Sequence, residues 1–299
     1  MSHAVVLGAT GFVGSHLVRR LKNHHALSLD AISSSEIDLT HPLAWQKLAG
    51  RLTPATCLIV AARSRETRQP LKAFEEEITM AITIARAVEN HPIRKLIYFS
   101  SLSVYGDAAT DLAISEETPA TPSSVYGAAK LAAETVLAET ATKNKLPSVL
   151  FRPCKMYGPG DRSLVYGPAK FISAILDGQP IWLFGDGSEL RDHLFVEDAA
   201  AITIQFAFSE TAAPGVYNLG TGQSRSFQDM LELLKKISHR SFPVMHKERT
   251  RPKVDQKIKV AKLLAASPHF RLTPFEQGLA KTYAAAATES GRKSLAPHG

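Results

Sequence analysis

A tyrosine and a lysine four positions apart provide the clearest chemical signal in this sequence. In the run Tyr126-Gly-Ala-Ala-Lys130, both side chains fall on one face if the segment is helical. A tyrosine hydroxyl can take or return the proton of a carbinol group while a hydride leaves or enters the carbon. Tyrosine ionises near pH 10 in water, and a nearby ammonium or a cationic nicotinamide favours its phenolate form. The pair predicts proton transfer by Tyr126, with Lys130 as the fixed charge and as a ligand of the nicotinamide ribose.

Ser101 is the third candidate for this chemistry. It follows an apolar run that reads as a strand, ahead of Tyr126 in the chain. A serine hydroxyl at that place would hydrogen-bond the substrate oxygen and orient it. Tyr-x-x-x-Lys alone is a common pattern of helix surfaces. The prediction of a catalytic set therefore depends on the order Ser101, Tyr126, Lys130 and on the glycine turn that precedes them.

A glycine turn follows the first predicted strand. Gly8, Gly11 and Gly14 lie between this strand and an amphipathic helix, which is the context that a dinucleotide-binding turn requires. Without Cβ atoms, backbone N–H groups can approach a pyrophosphate at the positive end of the helix. The alternative, a plain strand-to-helix turn, is disfavoured by this context. The predicted cofactor contacts of the turn are Gly8, Thr10, Gly11, Phe12, Val13 and Gly14.

The second strand bears on the choice between NAD and NADP. Asp30 lies at the predicted end of that strand, where a carboxylate would bind the ribose hydroxyls of NAD. The run Ser33-Ser34-Ser35 could instead accept the 2′-phosphate of NADP. We predict NAD as the favoured cofactor and NADP as the alternative.

Alternating strands and helices must position these residues. Strand-like runs near 4–7, 26–32, 56–61, 95–100 and 148–152 alternate with helical stretches, the longest at 74–90 and 125–142. This alternation predicts an α/β fold with a Rossmann-type doubly wound parallel sheet and a smaller C-terminal substrate-binding lobe. The nucleotide domain is expected over residues 1–155, with 194–220 returning to it, and the lobe over 156–193 and 221–286. Residues 287–299 are polar and aperiodic, which predicts a disordered tail.

Composition indicates an ordinary globular protein. The chain has 299 residues, of which 44% are hydrophobic and 21% charged. It has no apolar run long enough for a membrane span and no signal-peptide pattern, and its two cysteines, Cys57 and Cys154, read as reduced core thiols. We therefore expect a cytoplasmic protein, without a metal-ligand cluster. The net charge of +7 is spread along the chain, which favours a solvated basic surface over a nucleic-acid-binding one.

The order of these motifs resembles one known family. The glycine turn, the Ser-Ser run ending at Ser101 and the Tyr126–Lys130 pair are followed by Arg152-Pro153 and by a Gly-Asp-Gly turn that leads to Arg191. Over about residues 4–285 the chain is similar to the NAD-dependent epimerase/dehydratase family, the nucleotide-sugar branch of the extended short-chain dehydrogenases. The resemblance implies an NAD(P)-dependent oxidoreductase or isomerase that acts on a nucleotide sugar.

The resemblance also implies roles for residues outside the catalytic set. Further cofactor contacts are implied at the adenine, beside the cofactor and at the nicotinamide carboxamide, by Asp38, Leu39, Ala61, Ala62 and Pro153. Substrate contacts to the sugar or its diphosphate are implied for Ser101, Ser103, Tyr105, Lys155, Arg191 and Arg251. Guanidinium groups suit phosphate oxygens. For Arg191 a structural salt bridge with Asp192 or Asp198 remains the alternative.

Four positions depart from the family's pattern. Lys155 stands where many members have an asparagine that helps to bind the diphosphate. Glu77, near the start of the long helix, also replaces a usual asparagine. Leu102 and Ser103 follow Ser101, where sugar-nucleotide 4,6-dehydratases carry an Asp-Glu pair, so 4,6-dehydration is disfavoured.

These features support hypotheses from different classes. The first is a C4 epimerase, the second an NAD(P)H-dependent 4-keto-sugar reductase, and the third a reductase of a non-sugar carbonyl compound. A catalytically silent cofactor sensor or RNA-binding protein would fit the basic charge but would not need an intact Ser101, Tyr126 and Lys130. A homodimer through the helices at 74–90 and 125–142 is the expected assembly, unless their alanine-rich faces are internal.

Overall fold

A computed structural model of the protein describes residues 2–23, 27–66, 68–107, 113–163, 167–209, 213–250 and 252–295. Residues 292–295 are described by their backbone alone. The chain divides into two compact units. Unit 1 is made of Met1–Cys154, Ala199–Leu219 and Lys259–Phe270, and unit 2 of Lys155–Asp198, Gly220–Ile258 and Arg271–Gly299. Unlike the predicted division, residues 194–198 belong to unit 2 and residues 259–270 to unit 1.

Unit 1 contains a six-stranded parallel sheet. Its strands are β1 (Ser2–Leu7), β2 (Leu27–Ile32), β3 (Thr56–Val60), β4 (Lys95–Phe99), β5 (Ser148–Pro153) and β9 (Gly215–Leu219), in the order β2-β1-β3-β4-β5-β9. β3 and β4 are buried along their whole length, as expected for strands covered on both faces. The strand order reverses between β1 and β3, and ligands bind at the carboxyl ends of strands at such a point.

Helices flank this sheet. They are α1 (Phe12–Leu21), α2 (Ala44–Ala49), α3 (Pro70–Asn90), α4 (Val125–Lys143), α8 (Ala261–Ala266) and α6 (Val196–Phe208), which begins in unit 2 and continues in unit 1. α3 begins earlier than its apolar pattern predicted because Pro70 is favoured at the first helical position. α3 and α4 pack against each other. The alanine-rich face of α4 is buried within the chain at Ala129, Ala133, Leu137 and Ala141.

Unit 2 is built from shorter elements. Its strands β6 (Lys155–Tyr157), β8 (Leu190–Phe195) and β10 (Ser224–Ser226) form one sheet, and β7 (Ile181–Phe184) pairs with β11 (Val244–Lys247). Its helices are α5 (Pro168–Leu176), α7 (Phe227–Ser238) and α9 (Phe275–Leu295). A capping box between Ser226 and Asp229 starts α7. Apolar side chains of these helices and strands form one core, which includes Phe171, Phe195, Phe227, Met230 and Leu279.

The prediction of a disordered tail from residue 287 is wrong up to Leu295. α9 continues through this segment, with Ala284–Ala287 in its middle. The alanine run 284–287 favours helix up to the start of this segment, because alanine has the highest helix propensity. The residues that follow include Thr288, Ser290 and Gly291, so their propensity does not indicate the rest of the helix. Residues 296–299 lie outside the described part of the chain.

Among the described residues, no helix combines the length and the apolar character that crossing a membrane would require.

Candidate active site

Close backbone contacts shape the glycine turn after β1. Gly8 has a φ of +80°, and a Cβ there would lie 2.7 Å from the backbone nitrogen of Ala62. A Cβ on Gly14 would overlap the Gly8 carbonyl, which accepts a hydrogen bond from the Gly11 N–H at 2.9 Å. Only glycine fits at Gly8 and Gly14 without displacing the backbone. The turn can therefore bring the start of α1 to the carboxyl edge of the sheet.

The first turn of α1 offers the donors that a phosphate needs. Gly11 is the N-cap residue, and the turn has neither a side-chain cap nor an acidic residue. The first N–H groups of a helix have no partner within it, and the helix dipole adds positive charge there. Thr10 is exposed, and Phe12 and Val13 are half-buried. This geometry fits the pyrophosphate of a dinucleotide.

Asp30 lies short of this edge. β2 continues to Ile32, whose carbonyl accepts the Gly8 N–H, whereas Asp30 pairs with Val5 within β1. The Asp30 carboxylate lies 3.5 Å from Arg51 Nη1. The expectation that Asp30 ends the strand is wrong, because two more residues stay in register. Each residue advances a strand by about 3.3 Å, which sets the carboxylate back from the ligand edge.

Serines follow β2 at the edge instead. Ser33 comes directly after the strand, and its hydroxyl lies 2.7 Å from that of Ser35. A hydroxyl can hydrogen-bond either a ribose oxygen or a phosphate oxygen. The segment Ser33-Ser34-Ser35 itself contains no carboxylate that would repel a 2′-phosphate.

Asp38 and Leu39 are held in place by threonines. Asp38 Oδ1 accepts the Thr40 hydroxyl at 2.7 Å and the Thr40 N–H at 3.0 Å, and these bonds lower the pKa of Asp38. The Leu39 carbonyl accepts the Thr83 hydroxyl of α3 at 2.9 Å. The segment predicted to contact the adenine is thus fixed against α3.

Small or rigid residues lie at the carboxyl ends of two other strands, β3 and β5. Ala61 and Ala62 come after β3 and are half-buried, and the Ala61 N–H donates to the Leu7 carbonyl at 3.0 Å. Pro153 ends β5 and is buried. All three lie at the carboxyl edge that also carries the glycine turn, which is where their predicted cofactor contacts would have to be.

Ser101 precedes a short 3-10 turn (Leu102–Tyr105) just beyond β4. Its Oγ accepts the Ser103 N–H at 3.1 Å and donates to Ser103 Oγ at 3.1 Å. Both serines are half-buried. Their hydroxyls are therefore linked and partly accessible.

Gly127 lets α4 approach this turn. Tyr126 lies in the first turn of α4, whose N-cap residue Ser124 accepts the Gly127 N–H at 3.1 Å. A Cβ on Gly127 would overlap the Ser103 carbonyl. The Ser101 turn and the start of α4 are therefore in backbone contact. Tyr126, next to this contact, is 47% exposed.

Lys130 is buried one turn further along α4. Its Nζ donates to Glu77 Oε1 at 2.7 Å, to the Phe99 carbonyl at 3.1 Å and to the Tyr98 hydroxyl at 3.3 Å. Burial acts to lower the pKa of Lys130, but the surrounding Tyr98 and Glu77 outweigh it and raise that pKa. Burial raises the pKa of Tyr98, which stays neutral. The ammonium is therefore charged, and its three protons have partners within the protein.

Tyr105 is a packing residue. Its side chain is 1% exposed, and its hydroxyl donates to Asn218 Oδ1 at 2.8 Å. The Arg152 guanidinium stacks over its ring at 4.8 Å. The predicted contact of Tyr105 with a sugar is not supported by this position, because neither the ring nor the hydroxyl is accessible.

Two cations predicted to bind diphosphate are neighbours in unit 2. Lys155 begins β6 and is in register with His193 of β8, the strand that also carries Arg191. Desolvation and the charge of Arg191 lower the pKa of Lys155, while the charge of Glu189 acts to raise it. Two like charges held this close attract an anion. Arg251, the third predicted cation, lies outside the described residues.

The salt bridges that were the alternative for Arg191 do not form. Asp192 accepts the Thr221 hydroxyl and N–H, and Asp198 accepts the hydroxyl and N–H of Thr273. Arg191 donates to backbone carbonyls through Nη1. Within the described part of the chain its charge has no carboxylate partner in a salt bridge.

A pocket of about 650 Å³ in unit 2 adds residues that sequence reasoning missed. It is lined by Arg191 and by two further cations, Arg225 and Lys236. Glu232 and Phe275 are among its other lining residues. No motif indicated Arg225. Lys236 belongs to a basic stretch of the sequence, which was the only signal for it.

Comparisons with known proteins agree with this geometry. The family model described as NAD dependent epimerase/dehydratase family matches residues 4–220. A UDP-glucose 4-epimerase of Mycolicibacterium smegmatis is 29% identical over 253 residues, covering 76% of this chain and 79% of the relative. A dTDP-glucose 4,6-dehydratase of Neisseria gonorrhoeae is 27% identical over 267 residues, covering 78% and 76%.

A solved structure shares the fold. The Thermus thermophilus UDP-glucose 4-epimerase in complex with NAD superimposes with a TM-score of 0.82 at 23% identity, over 95% of this chain and 98% of that one. Since the family model covers most of the chain, the protein belongs to the NAD-dependent epimerase/dehydratase family, the nucleotide-sugar branch of the extended short-chain dehydrogenases, and is an NAD(P)-dependent enzyme of that family.

Proposed function

We propose that this enzyme epimerises a nucleotide sugar at C4, with NAD as its resident cofactor. The observation that carries the proposal is the backbone contact between the Ser101 turn and the start of α4. Ser101 follows β4 at the carboxyl edge of the sheet, which also carries the glycine turn after β1, and the half-exposed Tyr126 adjoins the contact. The UDP-glucose 4-epimerase among the relatives supports C4 as the reacting carbon.

The residues of unit 1 then divide the chemistry. When bound, the cofactor supplies reversible hydride transfer at C4. The Ser101 hydroxyl, which donates to Ser103 Oγ in the structure, would turn to donate to the C4 oxygen and orient it. With the cofactor bound, Tyr126 would accept the C4 hydroxyl proton during oxidation of the sugar and return it to the 4-keto oxygen during reduction from the opposite face. The substrate thus loses and regains one hydride and one proton.

The turn after Ser101 lacks the groups for 4,6-dehydration. Leu102 is buried, and Ser103 is hydrogen-bonded to Ser101. Neither residue offers a carboxylate to remove the C5 proton or a carboxylic acid to protonate the C6 hydroxyl. We therefore do not extend the dehydratase activity of the second relative to this chain.

For unit 2 we infer recognition of the diphosphate. Lys155 and Arg191 lie close enough for the charge of Arg191 to lower the pKa of Lys155. Arg191 also lines the pocket that holds Arg225 and Lys236. A diphosphate would relieve the repulsion between these cations and gain hydrogen bonds to a charged donor set.

A 4-keto-sugar reductase that uses NADPH is the second candidate. The serines after β2 favour it, because Asp30 is not at the edge where it would exclude a 2′-phosphate. In that reaction Tyr126 would donate its proton to the carbonyl oxygen, and no hydride would return to the cofactor.

The test begins with the thermal stability of the protein against UDP-, dTDP-, GDP- and CDP-sugars, with NAD or NADP present. A ligand that binds the native state raises the melting temperature. The sugar that stabilises the protein is then incubated with catalytic amounts of enzyme, and C4 inversion is followed by NMR. Inversion without net consumption of cofactor is expected. Stoichiometric NADPH oxidation with a 4-keto sugar would replace the proposal by the reductase, and the absence of any nucleotide-sugar effect would overturn both.

A further inference from the structure

Glu77 is a buried carboxylate of unit 1 that forms an ion pair with Lys130. It lies on α3, with 5% of its surface exposed. Its Oε1 accepts the Lys130 ammonium at 2.7 Å and the Tyr98 hydroxyl at 3.0 Å, and its Oε2 accepts the Ser64 N–H at 3.0 Å. One side chain thus joins α3, α4, β4 and the segment after β3.

This network accounts for every proton of Lys130. An ammonium has three donors, and here they go to Glu77, the Tyr98 hydroxyl and the Phe99 carbonyl. A cofactor ribose would have to displace one of these partners to contact Lys130. The shortest of the three bonds, that to Glu77, is also the ion pair.

We propose that Glu77 is a positioning residue of this enzyme: it fixes the Lys130 ammonium and offsets its charge, so that Tyr126 faces a neutral ion pair rather than a free cation. The inference rests on the proposed function, in which Tyr126 carries the proton. It assigns to the protein a site where a carboxylate tunes how readily the tyrosine hydroxyl gives up its proton.

The charges around Lys130 make the consequence specific. The titratable groups that face it are Glu77 from α3, Tyr98 from β4 and Tyr126 from its own helix. Glu77 is the group among them that opposes the ammonium. In Glu77→Gln the Lys130 ammonium keeps the Tyr98 hydroxyl and the Phe99 carbonyl as acceptors, and the amide oxygen can replace the carboxylate as the third. An ammonium held in this way without a counter-charge favours the phenolate form of Tyr126.

The decisive variant is Glu77→Gln, which keeps the shape of the side chain and removes its charge. The matched control is Glu76→Gln, which changes the same charge on the neighbouring residue of α3. Glu76 accepts a hydrogen bond from the Ser64 hydroxyl at 2.7 Å and is half-buried. A general electrostatic effect would act in both variants, whereas an effect through Lys130 requires Glu77.

The first readout is tyrosinate absorbance of the cofactor-free protein as pH rises. Subtracting the curve of the matching Tyr126→Phe variant isolates the transition that depends on Tyr126. We expect Glu77→Gln to move its midpoint to lower pH by on the order of one pH unit and Glu76→Gln to leave it in place. The second readout is the acid limb of the kcat/KM profile, which should shift in the same direction. An unmoved midpoint in folded Glu77→Gln would overturn the inference.

Two features keep this test decisive. If Glu77→Gln does not fold, Glu77→Asp is the second variant, which retains the charge but moves it away from Lys130 by one methylene. We expect it to shift the Tyr126 midpoint in the same direction by a smaller amount. A midpoint identical to that of the unaltered protein would reject the inference. The absorbance readout does not require turnover. A shifted Tyr126 midpoint without epimerase activity would uphold the Glu77 assignment and reject the proposed function. Epimerase activity with an unshifted midpoint would uphold the proposed function and reject the Glu77 assignment.

Discussion

At the scale of single residues, Tyr126 and Ser101 divide one task, since one moves a proton and the other holds the oxygen that bears it. Tyr126 is 47% exposed in the first turn of α4, and no hydrogen bond of its hydroxyl is found among the described residues. Ser101 is linked to Ser103 and partly accessible. The hydroxyl that must exchange a proton is therefore the less constrained of the two.

Replacing Tyr126 by phenylalanine should remove the proton acceptor without altering the fold. We expect kcat to fall by roughly 10²- to 10⁴-fold, the usual contribution of general acid–base catalysis. Cofactor affinity, measured by calorimetry, should stay within about twofold of the unaltered protein, since the glycine turn is intact. Tyr283→Phe on α9 is the matched control and should keep full activity. Near-normal turnover in Tyr126→Phe would show that another group moves the proton.

His193 makes a pH-dependent contribution to stability. It is 4% exposed, and neither ring nitrogen has a hydrogen-bond partner among the described residues. Burial, with the charge of Lys155 adding to it, lowers the pKa of His193 to about 3. Unfolded histidine has a pKa near 6.5, so between these values the unfolded chain binds a proton that the folded chain cannot. The folded state therefore loses stability as the pH falls below about 6.5.

Replacing His193 by phenylalanine should remove this dependence, because a phenyl ring suits the aromatic surroundings formed by Tyr157, Phe227 and Phe275. Between pH 7 and pH 5 the free energy of unfolding of the unaltered protein should fall by up to about 2 kcal/mol more than that of the variant. Urea unfolding at the two pH values measures both. Parallel losses in the two proteins would mean that His193 is not held neutral by burial.

Single residues also show where sequence reasoning succeeds and fails. Ser101, Tyr126 and Lys130 could be identified because their types and order carry the chemistry. The partner of Lys130 could not, since Glu77 lies on another helix and only the fold brings them together. Asp30 was assigned to the end of β2 although the predicted strand-like run, like the strand itself, continues to Ile32.

At the scale of elements, the contact between the 3-10 turn and α4 sets the geometry of the candidate site. Gly127 is the point of contact, because any side chain there would meet the Ser103 carbonyl. Gly127→Ala should lower kcat by about 10- to 100-fold, as a displacement near 1 Å can cost that much in an active site. Helix propensity alone would favour alanine by up to about 1 kcal/mol, so the two effects oppose each other.

The control for this variant is a helical glycine in open space. A Cβ on Gly291 of α9 would meet no atom within 4 Å. Gly291→Ala should therefore keep full activity and an equal or higher melting temperature. If Gly127→Ala behaves in the same way as Gly291→Ala, the turn has room to move and the contact does not position Ser101.

Elements with strong periodicity were predictable, and those without it were not. The alternation of strands and helices predicted the parallel sheet of unit 1, and α4 begins where the pattern placed it. The extension of α9 to Leu295 was missed because residues 288–295 have neither an apolar face nor a high helix propensity, Ser290 and Gly291 being among them. β6, β10 and β11 have three or four residues each, which is too short for a period of two to stand out.

At the scale of the whole molecule, the net charge of +7 raises the question of whether anion binding is general or local. Lys and Arg together exceed Asp and Glu, but most of these charges lie apart in the sequence. The pair formed by Lys155 and Arg191 is different because the charge of Arg191 lowers the pKa of Lys155. Each unit thus has its own task in the proposal, proton transfer in unit 1 and diphosphate recognition in unit 2.

Two neutralising variants separate a local from a general effect of charge. Lys155→Gln and Lys235→Gln each lower the net charge by one, but Lys235 is exposed on α7 and does not line the pocket of unit 2. We expect Lys155→Gln to weaken UDP binding about 5- to 10-fold at low ionic strength, near 1 kcal/mol, and Lys235→Gln to leave it unchanged. Calorimetric titration with UDP across a salt series measures both. The Debye length falls from about 10 Å at 0.1 M to about 3 Å at 1 M salt, so the advantage of the unaltered protein over Lys155→Gln should shrink as salt rises. Equal losses in the two variants would indicate that the basic charge of the whole protein attracts the nucleotide, and that Lys155 and Arg191 are not a diphosphate site.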